Sequence, residues 1–196
     1  MTKTRRQLQK EQTRKHLIET AFRQFAQHGF ITVRTADIAQ AAQVSHGTVF
    51  AHFATQEALF NAVIEEFGLR ISRRLHELAV GNRGLREVLE AHLKGLREFE
   101  AFYTRWVVES RVLPDSTRDT FTIVQSTISF HISQAAEREM DAGEQIPIPV
   151  HLLFNTWIGL LHYYLANDDL FAPEGSVLER YGQELLEHFM RLIKAR

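Results

Sequence analysis

The sequence predicts an all-α protein, and three observations support this. Its apolar residues recur at spacings of three and four, which is the period of a helix that buries one face. No alternating apolar run is bounded by Asn-Gly or Asp-Gly, the usual signature of a β-hairpin. Glycine, proline and capping residues separate the periodic stretches, so the chain divides into about nine helices.

The composition is typical of a globular protein. The 196 residues are 44% hydrophobic and 24% charged, and no apolar run approaches the roughly 20 residues that a membrane-spanning helix needs. The basic, polar N-terminus does not look like a secretory signal, so we expect a cytoplasmic location. The absence of cysteine excludes disulfides, thiolate catalysis and cysteine zinc sites.

Charge is distributed unevenly along the chain. Residues 1–60 hold eight Lys and Arg against four Asp and Glu, a balance of +4, whereas residues 61–196 hold 15 against 20, a balance of −5. A basic N-terminal part on an acidic remainder favours contact with a polyanion. A few solvated lysines and arginines would give the same counts, so charge alone does not decide between the two interpretations.

Three helices are expected in the N-terminal domain. The first covers about residues 10–28 and ends before Gly29, a residue that readily takes the left-handed conformation after a helix. Thr35 and Ser45 can cap two short helices that end near residues 42 and 53, separated by a two-residue turn that contains Gln43. Two short helices across a tight turn, braced by an amphipathic helix, are the parts of a DNA-reading helix-turn-helix.

The faces of these helices fit the same interpretation. Their apolar positions can converge on one small core: Phe22, Phe25, Ile38, Ala39, Ala42, Val44, Val49 and Phe53. The outward positions of the third helix are small or polar, as the floor of a DNA major groove requires: His46, Gly47, Thr48 and Ala51.

A long fourth helix follows, with Thr55 as its predicted N-cap. The predicted domains are an N-terminal domain of residues 1–54 and a C-terminal domain of residues 55–196. The fourth helix, residues 55–80, belongs to the C-terminal domain and connects it to the N-terminal one. The segment Gly81-Asn82-Arg83-Gly84 is the first clear break in the periodicity. The remaining helices are predicted at about 85–99, 101–111, 115–141, 150–166 and 174–194, with an extended Ile146-Pro147-Ile148-Pro149 segment before the fourth of them.

About 60 N-terminal residues carry many family-specific positions in a fixed order. They read Ala21-Phe22-x-x-Phe25-Ala26-x-x-Gly29-Phe30, then Thr35-x-Asp37-Ile38-Ala39-x-x-Ala42-x-Val44-Ser45-x-Gly47-Thr48-Val49-Phe50-x-His52-Phe53, then Glu57-x-Leu59. Together they closely resemble the TetR family of bacterial regulators. The resemblance implies a dimer whose last two helices pair across a two-fold axis. It also implies a body that binds a small molecule, which alters the spacing of two DNA-binding heads.

The matched positions imply roles in DNA binding. His46 and Gly47 resemble readers of base edges, and Phe50 can touch a thymine methyl group. The full predicted set, which adds contacts to phosphate, is Thr35, Ser45, His46, Gly47, Thr48, Phe50, His52 and Gln56.

Three positions depart from the family pattern. Family members usually carry tyrosine where Phe50 stands, lysine where Gln56 stands, and glycine where Gln43 stands. The first two departures remove a hydroxyl and a positive charge that would bind phosphate. We therefore expect a salt dependence weaker by about one phosphate contact, unless Arg5, Arg6 or Lys10 in a flexible N-terminal arm compensates. The third departure is expected to place some left-handed strain in the turn.

The family resemblance also implies an internal effector pocket. Aromatic and polar side chains on the helix faces of the C-terminal domain could line it: His92, Phe99, Tyr103, Trp106, Phe121, Gln125, His131 and Trp157. Taken singly, each of these residues is more often part of a core than a ligand contact, and the two histidines can be hydrogen-bonded core residues. Glu109 and Arg111 are interpreted either as contacts to a charged effector or as a solvated surface pair.

The last two helices are both apolar along one face. These faces are expected to pair with a second copy as a four-helix interface, formed by Leu153, Thr156, Gly159, Leu160, Tyr181, Leu185 and Phe189.

Together these features predict a ligand-responsive transcriptional regulator, by default a repressor. It would bind a near-palindromic DNA operator as a homodimer and be released by a partly apolar or aromatic small molecule. Enzyme signatures, metal-ligand spacings and cofactor fingerprints are absent from the sequence, so we expect no catalytic residue, metal or cofactor. The alternative is an all-helical protein-interaction module that does not bind DNA sequence-specifically.

Overall fold

The computed structural model describes residues 4–78, 84–144 and 147–194. In these stretches the chain forms ten α-helices and one short 3-10 helix, with no strand, which confirms the all-α prediction. The α-helices are α1 (Arg5–His28), α2 (Thr35–Ala41), α3 (His46–His52), α4 (Gln56–Leu78), α5 (Leu85–Arg97), α6 (Glu100–Glu109), α7 (Asp115–Asp141), α8 (Val150–Ala166), α9 (Asp168–Phe171) and α10 (Val177–Ile193).

Two helix assignments from the sequence were wrong. α1 begins at Arg5 instead of near residue 10, because Thr4 and Gln7 cap each other: the Gln7 N–H donates to Thr4 Oγ1 (3.3 Å) and the Thr4 N–H donates to Gln7 Oε1 (2.8 Å). The basic arm is therefore helical. The short helix α9 was not expected, since the sequence there reads as a break. The predicted glycine break at 81–83 and the extended start at residue 146 lie outside the described residues.

α1, α2 and α3 enclose the small core that the sequence predicts. Phe25, Ile38 and Val49 are fully buried, and Phe22 and Phe53 nearly so. Gly29 ends α1 with a φ of +82°, the left-handed region that glycine adopts most readily. We refer to this unit, residues 4–54, as the head and to the remaining helices as the body.

A carboxylate from the body holds the end of α1. Glu109, at the end of α6, accepts hydrogen bonds from the backbone N–H groups of Phe30 (2.7 Å) and Ile31 (2.9 Å). A Cβ at Gly29 would overlap this carboxylate, so a larger residue there would displace Glu109 and would also strain the backbone. From the sequence, Glu109 was interpreted as an effector contact or as part of a solvated surface pair. In the structure it joins the body to the head.

Arg70 on α4 provides a second link between head and body. It forms an ion pair with Glu19 on α1 and another with Glu66 on its own helix (2.9 Å). Its guanidinium also lies over the ring of Phe22, 5.0 Å from the centroid. The long connecting helix is thus fixed to α1 by charge and by aromatic contact.

The apolar core runs without a gap from the head into the body. Phe22 of α1 stacks on Phe102 of α6 with centroids 4.2 Å apart, and Phe67 of α4 packs against Phe102 at 5.2 Å. In the described part of the chain, no helix is both long and apolar enough to cross a membrane.

The last helix is anchored from the α5–α6 junction. Glu100 accepts a hydrogen bond from the N–H of Val177 at the start of α10 (2.7 Å), and Arg97 donates to the carbonyl of Leu178 (2.8 Å). A carboxylate at the N-terminus of a helix is also favourable for the helix dipole. α10 is therefore fixed to the same part of the body that contacts the head.

Replacing Glu109 by alanine should destabilise the protein. Two N–H groups beside Gly29 would lose a charged acceptor, and we expect a free energy of unfolding lower by about 1–3 kcal/mol. Urea denaturation at neutral pH measures it, with Glu65→Ala as the control, since Glu65 is an exposed carboxylate on α4. Equal stability of both variants would show that the bonds from Glu109 contribute nothing.

Candidate DNA-binding surface and internal polar cluster

The N-terminus of α3 is capped as the sequence predicts. Ser45 Oγ accepts a hydrogen bond from the N–H of Thr48 (3.1 Å) and lies 2.8 Å from the Thr48 hydroxyl. Gln43 in the preceding turn has a φ of +56°, so the expected left-handed conformation is present at a residue with a Cβ. The capped helix and the tight turn fix the direction in which α3 projects from the head.

α3 presents a small, mostly polar outer face. His46, Gly47 and Ala51 are exposed, and Phe50 keeps 46% of its surface accessible. The His46 and Phe50 rings meet edge to face with centroids 4.8 Å apart. The side chains predicted to meet the bases thus lie together on the surface of one short helix.

Thr35 is placed differently from the prediction. It is the first residue of α2 and not its N-cap, because Arg34 occupies that position and the Arg34 N–H donates to the Asp37 carboxylate (2.8 Å). The Thr35 side chain is buried, and its hydroxyl lies 2.9 Å from Nε2 of His46. Its hydroxyl therefore orients His46.

Two more predicted DNA contacts are partly buried. Gln56 donates a hydrogen bond to the carbonyl of Val33 (3.1 Å), which ties the start of α4 to the loop before α2. His52 is half-buried, and burial, followed by the charges of Lys10 and Arg14, lowers its pKa below the ordinary histidine value. These two cations of α1 therefore lie near the end of α3, a proximity that only the fold reveals.

The residues predicted to line an effector pocket separate into groups. Trp106 and Phe121 stack with centroids 4.2 Å apart in the aromatic core, and Phe99 lines a cleft of about 480 Å³ between α1, the α5–α6 junction and the start of α10. His131 lies on α7 beside Phe130. His92 and Trp157 remain as one hydrogen-bonded pair, and Tyr103 and Gln125 as part of a second hydrogen-bonded group. We refer to the two groups together as the polar cluster.

This cluster crosses four helices of the body. The indole N–H of Trp157 on α8 donates to Nδ1 of His92 on α5 (3.1 Å). The Tyr103 hydroxyl on α6 lies 2.8 Å from Nε2 of His162 on α8, and Gln125 Nε2 on α7 donates to the Tyr103 hydroxyl (3.1 Å). The sequence analysis missed His162, because a spacing of five residues from Trp157 does not indicate a shared helix face.

Burial controls the protonation of the cluster. It lowers the pKa of His92 to about 3, with a smaller contribution from nearby His162, and the pKa of His162 to about 4. Both imidazoles are therefore neutral at pH 7. No group of acidic, histidine or cysteine side chains able to hold a metal occurs among the described residues.

Part of the predicted dimer interface faces inward. Leu153, Leu185 and Phe189 are buried within the chain, and Trp157 packs against Phe189 with centroids 5.3 Å apart. The apolar stripes identified from the sequence at these positions cover the body's own core. The outward face of α8 lies on the opposite side of the helix and includes Leu152, Thr156, Gly159 and Tyr163.

The arrangement of a helix-turn-helix head on an all-helical body defines a class of DNA-binding regulators. Residues 17–63 match the family model described as bacterial regulatory proteins, tetR family. Over this stretch the chain is therefore similar to the N-terminal region of the TetR family.

Curated relatives agree with this assignment. The chain is 37% identical over 90 residues to the probable acrEF/envCD operon repressor of Escherichia coli K12, covering 46% of this chain and 34% of that protein. It is 28% identical over 149 residues to the transcriptional repressor AcnR of Corynebacterium efficiens, covering 74% of this chain and 77% of AcnR. The match thus spans about a third of the E. coli repressor and about three quarters of AcnR.

Solved structures share the whole fold. Reduced NemR of E. coli superposes with a TM-score of 0.76 at 18% identity, covering 94% of this chain and 98% of NemR. The fatty acid degradation regulator FadR of Bacillus halodurans gives the same TM-score at 14% identity, covering 97% of each chain. The architecture of head and body is therefore that of these regulators.

Stability should fall in mild acid because His92 and His162 are held neutral. Their folded pKa values of about 3 and about 4 lie below the ordinary value near 6.5, so their contribution is complete above pH 6.5 and is lost as the pH falls. Each should add roughly 1.4 kcal/mol per pH unit to the slope of unfolding free energy below about pH 5.5.

Urea denaturation between pH 7 and pH 4.5 measures this slope. His162→Gln keeps an acceptor for Tyr103 and should make the slope shallower, whereas His151→Gln changes an exposed histidine and should not. If His162→Gln and the wild type share one slope, His162 does not titrate as burial predicts.

Proposed function

We propose that the protein is a transcriptional repressor that binds a near-palindromic operator as a homodimer and is released by a small-molecule effector. The observation that carries this proposal is the outer face of α3, where exposed His46, Gly47 and Phe50 stand on a capped helix. Such a face fits the major groove, and two copies in a dimer would enter successive grooves. Binding to chromosomal DNA implies a cytoplasmic location.

In this proposal His46 reads a base edge. The Thr35 hydroxyl restrains its ring, so less side-chain freedom is lost when DNA binds. Gly47 allows close approach of the helix backbone, and the exposed ring of Phe50 offers an apolar surface to a thymine methyl group. Ser45 and Thr48, near the start of the helix, would contact phosphate together with His52.

The phosphate contacts are expected to be few. Gln56 is neutral and its amide is already hydrogen-bonded to Val33. Lys10 and Arg14 lie close enough to His52 to lower its pKa, so α1 supplies positive charge beside the recognition helix. Lys10 was expected to compensate as part of a flexible arm, whereas in this proposal it acts from a helix, together with Arg14.

We place the dimer contact on the outward faces of α8 and α10. Gly159 is exposed, with open space where a Cβ would project, so two α8 helices could approach closely there. Leu152 and Tyr163 are large apolar residues that are half or more exposed. Burying them against a second copy would stabilise the dimer.

Release follows from the way the head is attached. Glu109 holds the end of α1, and the same helix, α6, carries Tyr103 of the internal polar cluster. A ligand that shifts α6 would move the head and change the spacing of the two recognition helices. It can weaken DNA binding only by the difference in its affinity for the two states.

Selection of random double-stranded DNA by the purified protein tests the proposal directly. We expect a near-palindrome whose affinity falls with salt and which His46→Ala weakens by about 1–3 kcal/mol, with relaxed choice at one base pair per half-site. His76→Ala, an exposed histidine on α4, is the control. If no sequence is enriched even at low salt, the DNA-binding proposal fails and the protein is better explained as an interaction module.

Gly159→Arg should convert the dimer to a monomer. The substitution has room within one chain but would place a long cation between two α8 helices. Gly175→Arg is the matched control, because Gly175 also has open space around it and lies in the loop before α10. Analytical ultracentrifugation compares the two, and a Gly159→Arg variant that stays dimeric would place the interface elsewhere.

A further inference from the structure

A cleft of about 480 Å³ lies where the head meets the body. Phe22 and Ala26 of α1 line its head side, and residues around the α5–α6 junction, with the starts of α9 and α10, line its body side. Within the described residues, this lining shares no side chain with the polar cluster. A molecule bound there would contact the head and the body together.

Thr104 on α6 lines this cleft with a hydroxyl that lacks a partner. The residue keeps only 9% of its surface exposed, and its hydroxyl makes no hydrogen bond within the described parts of the chain. The hydroxyls of three other helical threonines, Thr120, Thr127 and Thr156, donate to the carbonyl four residues earlier. Since buried polar groups are normally paired, the free hydroxyl of Thr104 points to a polar group that enters the cleft.

Three charged side chains of the lining already have partners and hold the walls together. Glu98 forms an ion pair with Arg74 of α4 (2.6 Å). Arg97 and Glu100 bind the backbone at the start of α10, as described above. These three side chains therefore form the frame of the cleft and are not free for a ligand.

Three further charged side chains of the lining form no ion pair with any described residue: Arg105 on α6, Asp168 at the start of α9 and Glu179 in the first turn of α10. They carry charges of opposite sign and line one cleft, yet they do not pair with each other. Arg105 directly follows Thr104, so a guanidinium and an unpaired hydroxyl come from the same turn of α6. The cleft thus has donor groups on α6 and acceptor groups on α9 and α10.

A ligand that carries both charges fits this lining better than one that carries a single charge. A carboxylate accepts from guanidinium and hydroxyl donors, and an ammonium group donates to carboxylates. A ligand with only one charge would leave the side chains of the other sign without a partner. The half-buried ring of Phe99 and the small side chains of Ala26 and Ala101 offer an apolar surface to the rest of the molecule.

We propose that the cleft between head and body binds an α-amino acid with an apolar or aromatic side chain. Its carboxylate would bind Arg105 and the Thr104 hydroxyl, and its ammonium group would bind Asp168 and Glu179. Its side chain would lie against Phe99.

The regulatory use of this site rests on the proposed function. Because α1 of the head forms one side of the cleft, the affinity for a ligand there depends on where the head lies. By linkage, a bound amino acid would then change the affinity for DNA by the same factor. Binding of the amino acid itself requires no DNA.

Three probes that share one phenylethyl body test the ligand class: phenylalanine, phenethylamine and 3-phenylpropionate. The second lacks the carboxylate of phenylalanine and the third lacks its ammonium group. Ligand-observed NMR on the full-length protein measures their affinities in the millimolar range, and we expect phenylalanine to bind about fivefold more tightly than either of the others. Equal or tighter binding of a singly charged probe, or no saturable binding of phenylalanine, would overturn the proposal.

Two variants that each remove one charge locate the site. Arg105→Gln should weaken phenylalanine and 3-phenylpropionate about fivefold but not phenethylamine, whereas Glu179→Gln should weaken phenylalanine and phenethylamine but not 3-phenylpropionate. Arg191→Gln and Glu184→Gln, at exposed positions of α10 outside the cleft, are the matched controls and should change no affinity. An equal loss for all three probes, or no loss in either cleft variant, would show that phenylalanine does not bind as proposed.

A Thr104→Val variant separates a ligand contact from a structural role. It keeps the shape of the side chain and removes a hydroxyl that has no partner among the described residues, so the unliganded protein should unfold at no lower a temperature than the wild type. Phenylalanine and 3-phenylpropionate should bind more weakly to this variant, and phenethylamine unchanged. A lower unfolding temperature with unchanged affinities would contradict the proposed contact.

These measurements use no DNA. Failure of the proposed function would instead appear as the absence of an enriched operator, so the two can fail separately.

Discussion

The position of the head on the body depends on a joint where one carboxylate accepts two backbone N–H groups. Glu109 reaches from the end of α6 to Phe30 and Ile31, just after α1 ends. Backbone donors in a turn have no alternative partner in secondary structure, so a charged acceptor there binds strongly. The aromatic contacts of Phe22 and the ion pairs of Arg70 lie at the same junction and stabilise it further.

Buried polar groups are only partly paired in both the head and the body, and in the head Nδ1 of His52 has no hydrogen-bond partner among the described residues. In the head, the Thr35 hydroxyl is paired with His46 and the Ser45 hydroxyl with the start of α3, so the recognition surface is rigid before DNA arrives. In the body, His92 and Gln125 each keep one group unpaired. Under the proposed function, side chains of α3 that are held by hydrogen bonds before DNA binds would lose less conformational freedom on binding.

Much of the architecture could be predicted from periodicity and caps. The start and end of α8 and the Ser45 cap agree with the sequence analysis, because proline, serine and apolar spacing act locally. The packing partner of each helix face was harder to predict. An apolar stripe has the same spacing whether it packs within one chain or against a second copy. Leu153 and Phe189 were therefore assigned to a partner although they pack within one chain. Thr35 and Glu109 could not be placed at all, because their partners are 11 and at least 78 residues away in sequence.

The positions of the tryptophans have a spectroscopic consequence. The chain has two, Trp106 and Trp157, and both are buried in the body. The indole of Trp157 is hydrogen-bonded to the same imidazole whose far side is unpaired. Tryptophan emission therefore reports on the interior of the body through Trp157 and on the junction with the head through Trp106, whose ring centroid lies 6.0 Å from that of Phe30.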